Sequence, residues 1–492
     1  MNKDLGIFAD MVFARCESWL GEDVEGNLVL VDPHEGVAIG DHYSLSHFAA
    51  AAIMGSACDT ARFEAGLNVL RGVLARWESD SANPSFHNDF NHFALVLAHD
   101  ELERLGVCEE ERQGIERVIL STPDSNHDTV NWLPMRMLAC HARTRWGSDC
   151  EREAARIRKK IERAINADGF IEDRLPRGTS FNLQYDISSV ALLDLMDALG
   201  FDQPADLWRS YAALRECVLP DGDINYLGRG CNQVFAWGPW LYLLKRRGTD
   251  AEWEAGRNFL QEHLPSMLEN ENILLNGLSG SERQMWWDYH YCSVYTAHLL
   301  LWLVLAQRVE RLKSDGRYRH DSVLGETGVS VSRLSRSVVV SFSGRREYLA
   351  ERGPAICAIW TSRHGAVHKG SFGPWGGMFG GVHATPFATL NHLGLLKVDR
   401  FNALNVAPLL SEVGIEEADG HLQVMFRAPS RARCCFNLPM AKSMPLEDVS
   451  VFADGNRVDL KAVGEIVTQY GSELLCQTSS KKSSRWVLRI RL

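Results

Sequence analysis

The spacing of apolar residues changes once along this chain, and that change constrains the fold more than any other feature. From Asp4 to about Lys313, apolar residues recur every three or four positions in about twelve segments separated by Gly, Pro, Asp and Asn. After Ser314 they alternate with a period of two, as in GVSVSRL, AICAIW and SRWVLRIRL. The sequence therefore predicts an all-α domain over residues 1–313 and an antiparallel β-sheet domain over residues 314–492.

A long train of helices can bury its apolar faces as a bundle, a solenoid or a ring of hairpins closed on itself. A solenoid normally shows a fixed sequence repeat, and none is visible in this chain. The unusual polar and aromatic clusters fall in the connections between predicted helices, as they would at the mouth of a toroid. We therefore expect an (α/α) toroid of helix hairpins, with an irregular helical domain as the alternative, followed by an antiparallel β-sandwich or sheet.

The composition argues against several classes of protein. The 492 residues are 45% hydrophobic and carry a formal net charge of -11 with dispersed Lys and Arg, which disfavours nucleic-acid and membrane partners. Neither a signal peptide nor an apolar stretch of about 20 residues is visible, so we expect a cytoplasmic protein. The 12 cysteines lack zinc-module spacing, and HExxH and GxSxG motifs are absent. We assign no metal and no cofactor.

Three polar clusters lie at predicted helix starts, in the segments FHNDFNH, SNHDTVNWLPMR and SFNLQYDISS. Each combines titratable groups, amides and an aromatic ring, which suits a sugar-binding surface. The alternative is that the Asn and Asp side chains cap helices and the aromatic rings belong to the core. The candidate residues in these clusters are His87, Asn88, His127, Asn131, Trp132, Tyr185 and Asp186.

The fourth cluster, PDGDINYLGRGCNQ, carries Tyr226 and, between two glycines, Arg229. Glycines let the backbone approach a ligand closely, and an arginine offers two parallel donors to a carboxylate. A tyrosine held near such a carboxylate, with a lowered phenol pKa, could transfer a proton. The alternative is a tight loop with a structural arginine.

Two further segments contain candidate binding residues. WWDYHYCSVY opens the last long helix and contains Trp287, His290 and Tyr291, which could form a pocket or belong to the core. The glycine-rich segment SFGPWGGMFGGVH contains Trp375 and is expected to form a loop, which could lie over the opening of the helical domain.

The segments NWLPMR, NLQYD, NYLGRG and DYHYCSVY, in a chain with this order of domains, resemble polysaccharide lyases of the heparinase II/III-like and chondroitin/hyaluronate/alginate lyase type. Those families have an incomplete α/α toroid followed by antiparallel β-sheet domains. The resemblance implies β-elimination on an acidic polysaccharide or oligosaccharide. In that reaction an amide, His or Arg neutralises the uronate carboxylate, and a Tyr or His moves the proton.

Carried over by motif, the resemblance implies that Asn131 neutralises the carboxylate and that Tyr226 and Arg229 are the catalytic tyrosine and arginine. The histidine role is open among His87, His127 and His290.

Two alternatives remain open from the sequence. GRG also resembles a loop motif of unsaturated glucuronyl hydrolases, so a toroidal glycoside hydrolase using Asp128, Asp186 or Asp223 is the second hypothesis. A noncatalytic glycan-binding protein is the third.

Overall fold

A computed structural model describes the chain in nineteen stretches, to which all structural statements below refer. They are residues 2–24, 26–39, 43–56, 59–79, 87–125, 129–175, 178–180, 182–203, 206–227, 230–276, 291–313, 323–324, 327–342, 355–369, 387–390, 413–427, 433–468, 470–479 and 481–492.

Twelve α-helices in this described part form two concentric layers. The inner helices are α2 (Ser44–Gly55), α4 (Asn88–Leu105), α6 (Leu133–Arg145), α8 (Leu183–Ala198), α10 (Trp237–Arg247) and α12 (Cys292–Arg308). The outer helices are α1 (Asn2–Glu17), α3 (Thr60–Ser79), α5 (Glu109–Ser121), α7 (Glu151–Ala164), α9 (Leu207–Glu216) and α11 (Asp250–Glu269).

The inner helices form a closed ring. Each contacts the next even-numbered helix, and α12 contacts α2, while every outer helix packs against an inner one. The predicted (α/α) toroid is therefore confirmed. Its ring closes through α12 and α2, whereas the resemblance implied an incomplete toroid.

The sequence explains which helices lie inside. The inner helices are buried on almost every side, and several of them, such as α12, are apolar over most of their length, whereas α7, EREAARIRKKIERA, buries only Ile157, Ile161 and Ala164. In the middle of α2, residues 49–52 are alanines, whose small side chains let the neighbouring helices approach closely. A β-carbon added to Gly66 of α3 would lie 2.7 Å from that of Ala52.

The inner helices share one direction. Side chains from the first turns of α2, α4 and α12 contact one another at one end of the ring, which we call the N-terminal mouth. Their last turns line a cavity of about 680 Å³ at the other end. The start of every inner helix, and the loop before it, therefore faces the same end of the toroid.

After the toroid, every described strand pair is antiparallel, and the strands form three five-stranded sheets. The first contains β5 (Val323–Leu324), β6 (Val329–Arg333), β7 (Ser337–Phe342), β8 (Ala355–Thr361) and β9 (Gly365–Lys369). The second contains β10 (Phe387–Leu390), β13 (Arg433–Met440), β16 (Leu460–Thr468), β17 (Gly471–Thr478) and β18 (Lys481–Lys482). The third contains β11 (Val413–Ala418), β12 (His421–Arg427), β14 (Val449–Ala453), β15 (Asn456–Val458) and β19 (Arg485–Arg491). Two short hairpins, β1 (Leu20–Glu22) with β2 (Leu28–Leu30) and β3 (Asp173–Leu175) with β4 (Gly178–Ser180), belong to the helical half.

The first sheet joins the two halves because successive side chains of its strands point to opposite faces of the sheet. Val338 and Val340 pack into the core of the toroid, whereas Val339 packs into the core between the sheets. The last helix ends at Arg308 and the next described strand begins at Val323, with the predicted boundary between them. None of the described helices combines the length and the apolar character needed to cross a bilayer.

Candidate functional site

Aromatic and imidazole rings from three inner helices and two adjoining turns meet at the N-terminal mouth. Tyr43 stacks on Phe90 with ring centroids 4.3 Å apart, and His298 stacks on Phe235 at 4.1 Å. We call this group the mouth cluster. It consists of Tyr43, His47, His87, Phe90, Trp132, Phe235, Tyr295 and His298.

His47 has a defined tautomer. Its Nδ1 lies 3.0 Å from the carbonyl oxygen of Tyr43, and because a carbonyl can only accept, Nδ1 carries the hydrogen. Nε2 then presents a lone pair, which is buried and has no partner among the described residues. Burial lowers the pKa of His47 to about 3, so the ring is neutral at neutral pH. It is therefore suited to accept a proton or a hydrogen bond from a ligand.

His298 lies beside it, with 5.3 Å between the two ring centroids. Both of its ring nitrogens are buried without a partner in the described part of the chain. Burial, with a smaller contribution from His47, lowers its pKa well below the usual value. The mouth cluster thus contains two neutral imidazoles with unused hydrogen-bonding capacity.

Three buried amides belong to the starts of the neighbouring inner helices. Asn88 is the first residue of α4, Asn131 lies in the 3-10 turn before α6, and Gln184 is in the first turn of α8. The side-chain oxygens of Asn88 and Asn131, and both polar atoms of Gln184, have no partner among the described residues. An unmet buried polar group costs about 1–3 kcal/mol, which a ligand could recover. Such groups also occur elsewhere among the described residues, as at Trp237.

The electrostatics of the mouth favour an anion. Six helices begin here, and each helix start carries a partial positive charge. At the start of α8 the side chain of Asn182 already accepts from the backbone N–H groups of Gln184 and Tyr185. Two nearby carboxyl groups have donors within the protein: Asp32 accepts from the backbone and hydroxyl of Ser293, and Asp186 accepts from the backbone of Ile171.

Asp89 and Arg136, from the first two sequence clusters, form a buried ion pair of 2.9 Å. A second pair of 2.8 Å joins Arg143 to Asp124, whose other oxygen lies 3.5 Å from Nδ1 of His92. The grouping of His92 with the two aspartates could hold a cation in principle. The two guanidiniums already neutralise its two carboxylates, so its geometry is that of a structural network.

Tyr226 is buried away from the mouth cluster. Its hydroxyl donates to the carbonyl oxygen of Cys217 at 2.5 Å, beyond the end of outer helix α9. Burial raises its pKa well above the usual value, which contradicts the lowered pKa that the sequence argument expected. The geometry gives this phenol a structural hydrogen bond, and its catalytic role stays a prediction.

Replacing Tyr226 by Phe tests these two roles. We expect Tyr226→Phe to lower the free energy of unfolding by about 1–3 kcal/mol, because the carbonyl of Cys217 would lose its donor. Glycan-cleaving activity should persist when assayed well below the melting temperature. Loss of activity at unchanged stability would instead support the catalytic role implied by the resemblance.

The other predicted residues are placed as follows. His87 and Trp132 belong to the mouth cluster, with ring centroids 5.5 Å apart. Tyr185 is half-buried and close enough to Tyr43 to contribute, after burial, to the raised pKa of that phenol. Tyr291 is half-buried just before α12. Six candidates lie outside the described residues: His127, Asp128, Arg229, Trp287, His290 and Trp375.

Sequence reasoning missed His47 and His298, and it named Gln184 without assigning it a role. A signal for the two histidines was present, because each interrupts an otherwise apolar helix, SLSHFAAAAIMG and CSVYTAHLLLWLVLAQR. A histidine in a helix that is buried on all sides needs a hydrogen-bond partner or has a functional role. What the sequence could not provide was the meeting of these two helices at the closure of the ring.

The fold and this mouth define a closed toroid of six helical hairpins followed by antiparallel sheets. No protein-family model matches the chain, and no curated protein matches it. Among solved structures, the chain is similar to the α-1,6-mannanase GH76A of Salegentibacter sp. HEL1_6, in an inactive variant with α-1,6-mannotriose. That match has 11% identity and a TM-score of 0.43, covering 61% of this chain and 99% of the mannanase. The chain is also similar to a Paenibacillus xanthan lyase, with 8% identity and a TM-score of 0.48, covering 99% of this chain and 57% of the lyase. The toroid assignment depends on the ring of helix contacts described above.

Proposed function

We propose that this chain is a carbohydrate-active enzyme that cleaves a uronic-acid-containing polysaccharide or oligosaccharide by β-elimination. The observation that carries the proposal is a set of buried, neutral amides and imidazoles with unused hydrogen-bonding atoms near the positive ends of the inner helices. Gln184 Nε2 and one ring nitrogen of His298 can donate to a carboxylate, and Nε2 of His47 can accept the proton beside that carboxylate.

In the proposed reaction, the Nδ2 group of Asn131 and the Nε2 group of Gln184, together with the helix ends, would donate to the uronate carboxylate as negative charge moves onto it. Nε2 of His47 accepts the C5 proton, since its lone pair is fixed by the Nδ1 contact. With its low pKa, His47 is a weak base in the free protein. It suits this role only when substrate is bound, because the substrate carboxylate favours the imidazolium and so raises the pKa. The phenol of Tyr43, protonated because its pKa is raised, can give a proton to the leaving oxygen.

The remaining predicted residues keep their proposed roles. The rings of His87, Trp132, Tyr185 and Tyr291 would lie against sugar faces, and Asn88 would offer its free oxygen to a hydroxyl. Arg229, His127 and His290 stay candidates for carboxylate neutralisation or proton transfer, and Trp287 and Trp375 for sugar contact.

The test is ultraviolet absorbance of the purified protein incubated with uronate-containing glycans and their oligosaccharides. We expect absorbance to rise as a 4,5-unsaturated sugar forms, and His47→Gln to slow the rise by about 100-fold or more. The matched control is His368→Gln, which removes a buried histidine of the β-sheet half and should leave kcat unchanged once the protein is folded. Equal rates for His47→Gln and the wild type would exclude His47 as the base.

A toroidal glycoside hydrolase is the second candidate, and one observation favours it. Burial raises the pKa of Asp186 well above the usual value, the direction that a general acid requires. Flat absorbance with new reducing ends would favour hydrolysis. Binding of a uronate oligosaccharide without any product would favour the noncatalytic glycan-binding alternative.

A further inference from the structure

We infer that the β-sheet half positions Gln184 in the N-terminal mouth through a chain of buried contacts, with Lys369 and Tyr470 as positioning residues. The chain crosses the loop between α9 and α10, which carries the GRG motif. The inference rests on the proposed function only for its activity readout, because its structural consequence can be measured without substrate.

The first contact is a buried ion cluster at the end of β9. Lys369 Nζ lies 2.7 Å from Asp221 Oδ2 and 2.9 Å from Asp223 Oδ2. Burial alone would lower the pKa of Lys369, but the carboxylates of Asp223 and Asp221 outweigh burial and hold it above the usual value. The ammonium is therefore charged, and it ties this loop to the first sheet.

The second contact fixes the backbone of the loop at Asn225. Asp223 Oδ1 accepts from the Asn225 backbone N–H at 2.9 Å, and the Tyr470 hydroxyl donates to the Asn225 carbonyl at 2.9 Å. The Asn225 side chain then donates to the carbonyl of Gly230 at 2.9 Å and to that of Gln233 at 3.2 Å. Asn225 thus connects the β-sheet half to the backbone at Gly230 and Gln233.

The third contact presses the loop against Gln184. Gly230 has a φ of +76°, and a β-carbon there would lie 2.4 Å from Gln184 Nε2, so only glycine fits. The backbone N–H of Leu183 also donates to the carbonyl of Leu227 at 3.2 Å. Gln184 is fully buried and its amide has no partner among the described residues. Packing against this loop, rather than hydrogen bonding, therefore sets the direction of the amide.

This placement gives Gln184 a role toward an anionic ligand in the mouth. Its amide is one of the three unpartnered amides at the inner helix starts, and its NH2 group can donate to a carboxylate. Because the loop is held from the β-sheet half, loosening that hold should move the amide without removing it. Small displacements of a positioned donor are costly for catalysis.

The experiment compares Tyr470→Phe with Tyr211→Phe. Each removes one phenol hydroxyl that donates within the protein, but Tyr211 donates to Glu252 on α11 at 3.2 Å, outside the loop. We expect faster backbone hydrogen exchange at residues 225–233 and in the first turn of α8 for Tyr470→Phe only. Unchanged exchange there, or the same increase in both variants, would overturn the inference.

On a glycan that the wild type cleaves, we expect Tyr470→Phe to lower kcat about tenfold or more with a smaller change in KM. A double variant tests whether Tyr470 acts on kcat through the Gln184 amide. In a Gln184→Leu protein, adding Tyr470→Phe should lower kcat no further, because the effects of two residues that act through one another are not additive. Additive losses would overturn the inference. If no glycan is cleaved, the proposed function fails while the exchange comparison still decides this inference.

Discussion

Replacing Lys369 by Met should lower the free energy of unfolding by about 3–5 kcal/mol. Lys369 is 8% exposed and Asp223 is 0% exposed, so the variant leaves a buried carboxylate without its counter-charge. Met keeps most of the side-chain volume, which limits any contribution from a cavity. Urea denaturation followed by circular dichroism would measure the loss.

The matched control is Lys442→Met in the same half of the chain. Lys442 pairs with Glu465 at 2.5 Å, but the two side chains are 45% and 59% exposed. We expect no measurable loss, because water and salt screen an exposed pair. A triple variant that combines Lys369→Met with Asp221→Asn and Asp223→Asn should recover part of the stability lost in Lys369→Met alone. Equal effects of the two lysine substitutions would contradict the buried-charge argument.

Three buried histidines should lower the stability as the pH falls from 6.5 towards 4, while Asp186, Asp89 and Asp194, whose pKa burial raises, contribute in the opposite direction. Burial lowers the pKa of His47 to about 3 and that of His368 to about 4, and it lowers the pKa of His298 well below its usual value. An unfolded chain takes up these protons near pH 6.5, so in this window the unfolded state binds more protons. The stabilisation is therefore present above pH 6.5 and is lost as the pH falls, by up to about 1.4 kcal/mol per pH unit for each histidine.

The measurement is the free energy of unfolding at pH 7 and pH 5 for the wild type and His368→Gln. Removing this histidine should shrink the difference between the two pH values by about 2 kcal/mol. His421→Gln, which removes a partly exposed ring on β12, is the control and should leave the difference unchanged. Asp124 does not contribute to the difference between pH 7 and pH 5. Its pKa is lowered in the folded protein, so its effect on stability changes only below the usual carboxyl pKa of about 4. A pH difference that His368→Gln leaves unchanged would refute the assignment.

The helices were largely predictable because their signals are local. The apolar spacing between Asp4 and Lys313 predicted about twelve helical segments, and the described residues of this half contain twelve α-helices. Apolar periodicity and capping residues such as Thr249 are sufficient to locate such elements. The change to alternating apolar and polar residues after the last helix was visible in the sequence for the same reason.

The candidate site was predictable only in part. The helix-start clusters contain two residues of the mouth cluster, His87 and Trp132. The same reasoning chose Tyr226, whose hydroxyl instead bonds the carbonyl of Cys217. A motif shows which residues are adjacent in the chain, but the direction in which each side chain points depends on the elements packed around it.

The amino-acid sequence by itself determined the order of helices and strands and where the polar loops fall. Those properties follow from the periodicity of a few neighbouring residues. Only the tertiary structure brought His47 and His298 together and set Gly230 against Gln184. Closure of the ring through α12 and α2, and the docking of the first sheet, decide these pairings, because each depends on packing between segments distant in the chain.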